Sequence, residues 1–229
     1  MNLLSKIQIK LEFLYRRYIQ REPFLLEIAR WFKDKGDEVL RFDYPLTQVS
    51  IVFDLGGYHG DFAAAVHERY GSKVYLFEPV PEFYQKCVTR FQGNTKIVCL
   101  NYGLSSADGW LDIGMAENAS SFASPHAKGV LQRVQVRSVV ECIHELGIDR
   151  IDLMKINIEG GEFDVVPAII ESGDIRKVQY LQVQFHNFVD HAAKRRTVIR
   201  TQLANTHTEM WNYDFVWESW KRNGVSVER

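Results

Sequence analysis

The chain has 229 residues, of which 46% are hydrophobic and 13% aromatic, and its formal net charge at pH 7 is -1. This composition is typical of a folded globular protein, and the length suits one large domain better than two. A net charge near zero gives no overall basic field to attract phosphate groups, so the sequence predicts no nucleic-acid partner.

Cysteine usage and hydropathy indicate the compartment. Cys87, Cys99 and Cys142 form no C-x-x-C pair and no Cys/His cluster, so we expect three buried thiols, no disulfide framework and no structural zinc site. No apolar run reaches the roughly 20 residues that a membrane-spanning helix needs. The first residues also lack the apolar core of a signal peptide. The sequence predicts a cytoplasmic protein.

Residues 1–48 are predicted to form a helical cap that precedes a main domain at 49–229. Apolar residues at helical spacing indicate a first helix over 3–18. A second helix is expected from Pro23 to Lys35, because proline suits a first helical turn and Gly36 a helix end. We expect the apolar side of the first helix to pack on the domain. Contact of its basic side with an anionic membrane is an alternative that we do not favour.

From residue 49, short apolar runs alternate with amphipathic stretches. Strands are predicted at VSIVFD (49–54), KVYLFE (73–78), KIVCL (96–100), IDLMKIN (151–157) and VQYLQVQ (178–184), with helices near 61–70, 81–91, 138–147, 162–172 and 190–204. This alternation predicts a Rossmann-like α/β fold with a mostly parallel seven-stranded sheet covered by helices on both faces. The aromatic run YDFVWESW (213–220) is expected to enter the sheet as an antiparallel C-terminal strand, in the manner of a hairpin return.

One interval interrupts the alternation. Two strand-like pieces, WLDIGM (110–115) and RVQVR (133–137), flank a small polar segment at 116–129. We interpret that segment as a mobile surface loop near the functional site. The cap and residues 114–132 are expected to shape the pocket of a second substrate, since loops vary independently of a fold.

The stretch IVFDLGGYHGDF (51–62) predicts a ligand-binding turn. A strand ends at Asp54, glycines follow at 56, 57 and 60, and a helix begins near Asp61. Glycines let a ligand approach the backbone, whose free N–H groups point out of the helix start. The next strand ends at Glu78, whose carboxylate can accept hydrogen bonds from both hydroxyls of a ribose.

Charge favours S-adenosylmethionine over a dinucleotide as the ribose-bearing ligand. Asp54 and Asp61 would repel a pyrophosphate at the helix N-terminus, whereas S-adenosylmethionine carries a cationic sulfonium and an ammonium group. Leu55 also stands where the dinucleotide pattern G-x-G-x-x-G needs its first glycine. A nicotinamide oxidoreductase and a purely structural turn with a solvated Glu78 are the alternatives.

A second group of polar residues follows the strand at 151–157. Lys155, Asn157, Glu159 and Glu162 fall within eight residues, at the carboxyl end where open α/β sheets bind ligands. Strand alternation predicts that the first three point to the same side.

Taken with these residues, the chain resembles the FkbM-type family of S-adenosylmethionine-dependent class I methyltransferases. The resemblance is carried by FDLGGYHGDF, YLFEPVPEFY, NYGLSSADGWLDI and DLMKINIEGGEFDVV, and it covers roughly residues 49–190. It implies O-methylation of a hydroxyl in a saccharide or a similar polar metabolite, with S-adenosylmethionine as donor. The donor-binding residues that it implies are Asp54, Gly56, Gly57, Tyr58, Gly60, Phe62, Glu78, Pro79, Tyr102, Gly103, Leu104 and Asn157. Residues Asn101 to Leu104, just past the third strand, would lie near the adenine.

The sequence departs from the family pattern at two positions. Asn157 replaces the aspartate of the K-I-D-x-E-G-x-E motif, and Gln184 stands where an acidic residue usually precedes the histidine at 186. An amide is a poor metal ligand and cannot take a proton, so no metal is favoured. The same departures motivate a second function, a catalytically silent S-adenosylmethionine-binding protein that regulates or scaffolds glycan assembly.

His186 is the candidate general base for removing the proton of an alcohol acceptor. Glu159 or Lys155 is expected to orient that acceptor. Each residue also has a structural interpretation: His186 as the cap of a strand, Glu159 as an acid near a helix N-terminus, and Lys155 as the partner of an acid.

Overall fold

The computed structural model describes residues 15–16, 19–114 and 131–224. The predicted first helix at 3–18 lies almost wholly outside the described residues, and the predicted mobile loop at 116–129 lies wholly outside them. The division between cap and domain at residue 48 stays a prediction.

The helices and strands alternate through most of the chain. The helices are α1 (Pro23–Lys33), α2 (Asp61–Tyr70), α3 (Pro81–Arg90), α4 (Val139–Glu145), α5 (Glu162–Glu171) and α6 (Ala192–Leu203). The strands are β1 (Ile51–Leu55), β2 (Lys73–Phe77), β3 (Ile97–Leu100), β4 (Gly103–Ser105), β5 (Gly109–Gly114), β6 (Leu131–Ser138), β7 (Ile151–Ile156), β8 (Val178–Val183), β9 (His207–Tyr213) and β10 (Trp217–Arg222). A π-helical turn at Gly36–Leu40 and a 3-10 turn at Asp174–Lys177 complete the elements.

The main sheet has seven strands in the order β3-β2-β1-β7-β8-β10-β9. The first five are parallel to one another, and β10 lies antiparallel to β8 and to β9. The order reverses between β1 and β7, so the carboxyl ends of these two strands flank the crevice where open α/β sheets bind ligands. The predicted Rossmann-like α/β fold is confirmed.

Two apolar cores cover the two faces of this sheet. One contains side chains of α4, α5 and α6, including Ile143, Phe163 and Ile199. The other contains side chains of α2 and α3 together with Phe42 and Tyr44 of the cap segment. Continuous apolar strands need such cover on both faces, which explains their composition. Cys87 and Cys142 are buried as expected, but Cys99 is only half-buried.

The predicted antiparallel C-terminal strand is confirmed, but its bounds differ from the prediction. YDFVWESW is not one strand: β9 ends at Tyr213, a turn follows, and β10 begins at Trp217. Phe215 within the turn has a φ of +59°, a conformation uncommon for a residue other than glycine. The aromatic run therefore forms the end of a hairpin, and its first strand reaches back to His207.

Two further elements differ from the prediction. Strands β5 and β6 form a three-stranded sheet with β4, which was not predicted, in the order β4-β6-β5 and separate from the main sheet. Helix α1 ends at Lys33 instead of Lys35, and Gly36 begins the π-helical turn. Position 36 requires a glycine, because an added Cβ there would lie 2.1 Å from the ring of Trp31. That ring packs on the terminal hairpin, 5.2 Å from the ring of Tyr213, so α1 covers the end of the sheet.

Candidate active site

The glycine turn after β1 packs directly against the end of β7. Gly56 has a φ of +81°, and a Cβ added there would lie 1.9 Å from the carbonyl oxygen of Asn157. A Cβ on Gly57 would lie 2.3 Å from the side chain of Leu76. No residue with a side chain fits either position, so these glycines allow the close approach of three strand ends.

Several backbone N–H groups of the turn already have acceptors. Gly56 N and Gly57 N donate to the carbonyl oxygen of Phe77 at 3.0 and 3.1 Å. Tyr58 N donates to Oε2 of Glu78 at 2.7 Å. These three N–H groups are therefore used within the protein. The expected free N–H groups lie at the start of α2, and their role in ligand binding stays a prediction.

Glu78 lies at the end of β2 as a buried carboxylate. It is 4% exposed and accepts hydrogen bonds from the backbone N–H groups of Tyr58 and Val80. Burial raises its pKa, and these two N–H groups partly offset the increase. Each carboxylate oxygen can accept a second hydrogen bond. The alternative in which Glu78 is solvated is therefore wrong.

Asp54 and Lys155 form a buried ion pair at the carboxyl ends of β1 and β7. Lys155 Nζ lies 2.8 Å from Oδ1 of Asp54, and it also donates to the carbonyl oxygens of Leu55 at 3.2 Å and Gly56 at 2.8 Å. Burial lowers the pKa of Lys155, against the opposing charge of Asp54. Three acceptors use its three protons. The prediction that Lys155 orients an acceptor does not fit this geometry.

Two buried oxygens at this edge have no hydrogen-bond donor among the described residues. They are Oδ2 of Asp54 and Oδ1 of Asn157. The residues are close, since Asn157 N donates to the carbonyl oxygen of Leu55 at 3.1 Å. An unsatisfied buried acceptor costs about 1–3 kcal/mol, so both oxygens suit a ligand that brings several N–H donors.

His186 is held by Glu162 just beyond the end of β8. Oε1 of Glu162 lies 2.9 Å from Nδ1 of His186 and accepts from its backbone N–H at 2.7 Å. The other oxygen, Oε2, accepts from Gly160 N at 2.9 Å. This buried carboxylate favours the tautomer with a proton on Nδ1, which leaves Nε2 free to accept one.

The charges around His186 favour a basic imidazole. Burial lowers its pKa, but the hydrogen bond and charge of Glu162 together with the charge of Glu159 outweigh burial and raise the pKa. Oε2 of Glu159 lies 3.6 Å from Nε2 of His186, and its side chain is 73% exposed. His186 and Glu159 are thus brought together as predicted, at a separation that suits contact with a shared ligand.

The predicted common side for Lys155, Asn157 and Glu159 is wrong for Glu159. Strand β7 ends at Ile156, so alternation no longer applies beyond it. Glu159 adopts a left-handed conformation with a φ of +51°, and Gly160 has a φ of +106°. This turn directs Glu159 toward solvent and His186, whereas the side chain of Lys155 is buried against Asp54 and the glycine turn.

The remaining predicted residues lie either at the edge of the site or in the apolar cores. Tyr58 is exposed, with its ring stacked 3.8 Å from that of His59. Gly60 has a φ of +78°, and a Cβ there would meet the ring of Phe91 at 2.6 Å. Asn101 Nδ2 donates to the carbonyl oxygen of Glu78 at 3.1 Å and joins the ends of β2 and β3.

Pro79, Tyr102 and Gly103 lie together at those strand ends. A Cβ on Gly103 would lie 3.4 Å from Pro79, and Tyr102 packs on Phe77 with 5.8 Å between ring centroids. The side chains of Phe62 and Leu104 instead belong to the two apolar cores. Contact of these two residues with the donor stays a prediction.

Glu162 is the residue that the sequence-based assignment of the site left out. It lies at the first position of α5 and is fully buried. Its place three residues after Glu159, as the last acid of the family motif, is the signal that could have identified it.

The described ranges 15–16, 19–114 and 131–224 contain neither a metal-binding cluster nor a membrane-spanning helix. No group of three or more His, Cys, Asp and Glu side chains there is placed to hold a metal ion. None of the helices in these ranges has the length and apolar character that crossing a membrane requires.

Comparison with known proteins gives a family and several distant likenesses. The family model described as the methyltransferase FkbM domain matches residues 54–217. AMB antimetabolite synthetase AmbE of Pseudomonas aeruginosa is 26% identical over 93 residues, which are 41% of this chain but only 4% of that protein.

Two solved structures illustrate the structural likeness. TrmK of M. capricolum, solved with S-adenosyl-homocysteine, is 12% identical, with 81% of this chain and 67% of that chain covered and a TM-score of 0.45. An rRNA methylase of Streptococcus thermophilus is 13% identical, with 77% of this chain and 89% of that chain covered and a TM-score of 0.46.

Proposed function

Since the chain belongs to the family of FkbM methyltransferase domains, we propose that it transfers a methyl group from S-adenosylmethionine to a hydroxyl of a saccharide or a similar polar metabolite. The family match supports the methyltransferase class. One observation carries the choice of a hydroxyl acceptor: a histidine oriented by a buried carboxylate, His186 with Glu162, just beyond the carboxyl end of β8. An alcohol needs such a base, because its proton must leave as the oxygen attacks.

The donor fits the polar groups at the carboxyl edge. Glu78 offers its remaining lone pairs to the two ribose hydroxyls. Asp54 Oδ2 and Asn157 Oδ1, both buried without a donor in the described part of the chain, would accept from the ammonium group. An ammonium has three N–H donors, so one group can satisfy both oxygens. Asn157 keeps this capacity although it replaces an aspartate.

The chain's own residues supply binding, orientation and proton transfer. When bound, the donor provides a methyl group on a sulfonium, and the electrons of the broken C–S bond stay on sulfur. His186 Nε2 accepts the proton of the acceptor hydroxyl while Glu162 stabilises the resulting imidazolium. Glu159 is 73% exposed and lies 3.6 Å from that nitrogen, so it can accept a hydrogen bond from a neighbouring hydroxyl of the acceptor. Positioning of this kind supplies much of the rate of an in-line displacement.

Transfer of a labelled methyl group tests the acceptor class. The protein is incubated with S-adenosylmethionine carrying a deuterated methyl group and a panel of saccharides, and products are identified by mass spectrometry. We expect His186→Gln to lower turnover about 10²- to 10⁴-fold with donor affinity unchanged. His67→Gln is the matched control, because the ring of that half-buried histidine hydrogen-bonds the carbonyl oxygen of Ser72 and no carboxylate among the described residues.

Two results would contradict the proposal. Near-normal turnover by His186→Gln on the true acceptor would exclude this histidine as the base. Donor binding without transfer to any hydroxyl compound would favour the second function, a silent S-adenosylmethionine-binding regulator or scaffold.

A further inference from the structure

A row of buried polar residues crosses the main sheet just before its carboxyl edge. Asp54, Lys155, Gln182 and Ser219 are register partners on β1, β7, β8 and β10. None of them is more than 3% exposed. Partners in register project to the same face of a sheet, so the row faces the cap segment and α2.

Arg41 of the cap segment is anchored to this row. Gln182 Nε2 donates to the carbonyl oxygen of Arg41 and to Oη of Tyr44, each at 3.0 Å. Tyr44 Oη in turn lies 2.9 Å from Oγ of Ser219. The backbone of the cap is therefore fixed to the sheet two strands away from Asp54, which is about 10 Å at the usual strand spacing.

The guanidinium of Arg41 is held by aromatic rings more than by hydrogen bonds. Its Cζ lies 4.4 Å from the ring centroid of Trp217 and 5.4 Å from that of Phe62. Within the described ranges it has only two hydrogen bonds, to Gln182 at 3.4 Å and to Asp37 at 3.5 Å. Both are long for N–H···O bonds, and a guanidinium has five N–H donors.

This cation remains accessible and incompletely neutralised. The side chain of Arg41 is 19% exposed, and that of Asp37, its nearest carboxylate, is 46% exposed. Burial lowers the pKa of Arg41 despite the charges of Asp37 and Asp54. A planar guanidinium in this state is suited to a carboxylate, which it can bind through two parallel hydrogen bonds.

Arg41 and the orphaned oxygens together complement an α-amino acid. Lys155 is the other cation of the row, but its three N–H donors are already used and it is 3% exposed. Arg41 is therefore the cation available to a ligand, on the same sheet face as Asp54. An ammonium and a carboxylate on one carbon atom, as in the methionine half of the donor, would meet both charges.

We infer that Arg41 binds the carboxylate of the methionine half of S-adenosylmethionine, while Asp54 and Asn157 bind its ammonium group. This inference rests on the proposed function, since it requires that donor. It makes the cap segment part of the donor site, with Trp217 and Phe62 fixing the plane of the guanidinium.

Calorimetric titration with two ligands tests the inference. The first ligand is S-adenosylmethionine, and the second is decarboxylated S-adenosylmethionine, which lacks only the carboxylate. We expect the wild-type protein to bind the first about 10- to 100-fold more tightly, as loss of a charge-assisted contact implies. In Arg41→Gln this ratio should fall to about 1, with affinity for the decarboxylated ligand changed less than about threefold. Arg41→Lys keeps the positive charge but cannot bind a carboxylate through two parallel hydrogen bonds. Its affinity ratio for the two ligands should therefore be intermediate.

The control is Arg69→Gln, which removes another arginine that stacks on an aromatic ring, 4.1 Å from the ring centroid of Phe42. It should leave the ratio unchanged. An unchanged ratio in Arg41→Gln would overturn the inference, as would an equal loss of affinity for both ligands. A raised KM for the acceptor with intact donor affinity would also overturn it. Failure of the wild-type protein to bind either ligand would instead contradict the proposed function itself.

Discussion

His186 receives its chemical character from a carboxylate in the next helix. Glu162 is fully buried, and its two oxygens accept from Nδ1 and the backbone N–H of His186 and from Gly160 N. Such a carboxylate fixes both the ring orientation and the tautomer of a general base. Glu162 is a positioning residue, since it acts on the acceptor only through His186.

Replacing Glu162 by Gln should move the pH dependence of methyl transfer. The base must be neutral to act, so kcat/KM rises with pH through the pKa of His186. Glu162 helps to raise that pKa, whereas burial lowers it. In Glu162→Gln the midpoint of the acid limb should therefore shift to lower pH, and the plateau should fall about 10²-fold. Steady-state rates from pH 5 to 9 measure both.

The control for this prediction is Glu171→Gln, at the exposed far end of the same helix. It should keep the wild-type profile. An acid limb that stays in place in Glu162→Gln, or moves to higher pH, would contradict the positioning role.

At the residue scale the sequence predicted those parts of the site that follow strand ends. Asp54, Glu78, Asn157 and His186 all come directly after apolar runs, so their edge of the sheet could be named in advance. Arg41 could not, because its partners Gln182 and Trp217 are far away in sequence and only tertiary packing brings them together.

Strands β1 and β7 are joined by the buried pair of Asp54 and Lys155. Lys155 bridges the Asp54 carboxylate and two carbonyl oxygens of the glycine turn. The pair thereby helps to fix the conformation of the glycine turn. Each of the two charges is compensated only while both residues are present.

Removal of one member should cost far more stability than removal of both. Lys155→Met leaves the Asp54 carboxylate buried without a cation, so we expect a loss of about 3–5 kcal/mol in the free energy of unfolding. The double variant Asp54→Leu/Lys155→Met should recover most of it. Urea denaturation measures these differences.

An exposed pair provides the comparison. Lys86 and Glu82 lie 2.7 Å apart on α3 with side chains 50% and 65% exposed, so Lys86→Met should change stability by less than about 1 kcal/mol. A Lys155→Met variant as stable as Lys86→Met would show that Asp54 is not a compensated buried charge.

At the element scale the parallel strands and an antiparallel hairpin return were predictable, but the position of the hairpin turn was not. β1, β2, β3, β7 and β8 are apolar runs bounded by glycine, proline or polar residues, and their observed limits agree with the predictions within two residues. The turn between β9 and β10 contains neither glycine nor proline. Aromatic residues continue through it because Tyr213, Val216 and Trp217 pack under α1, so composition did not reveal the position of the reversal.

The whole molecule places the polar ends of three parallel strands beneath one cap segment. Glu78 follows β2, Asp54 is the penultimate residue of β1, and Asn157 follows β7. Their carboxyl and amide oxygens face a site where Arg41 of the cap is the complementary cation. The sequence predicted the sheet that builds this edge, whereas contacts between cap and sheet depend on side-chain packing over long separations.

Donor binding is the central claim, and calorimetric titration of the purified protein with S-adenosylmethionine, S-adenosylhomocysteine and NAD tests it most directly. We predict a Kd of about a micromolar for the two adenosyl-sulfur ligands and no binding of NAD, because acidic groups line the turn. Glu78→Ala should abolish binding, whereas Glu82→Ala, at an exposed position on α3, should not. Absence of binding by the wild-type protein, or tighter binding of NAD than of either adenosyl-sulfur ligand, would contradict the account.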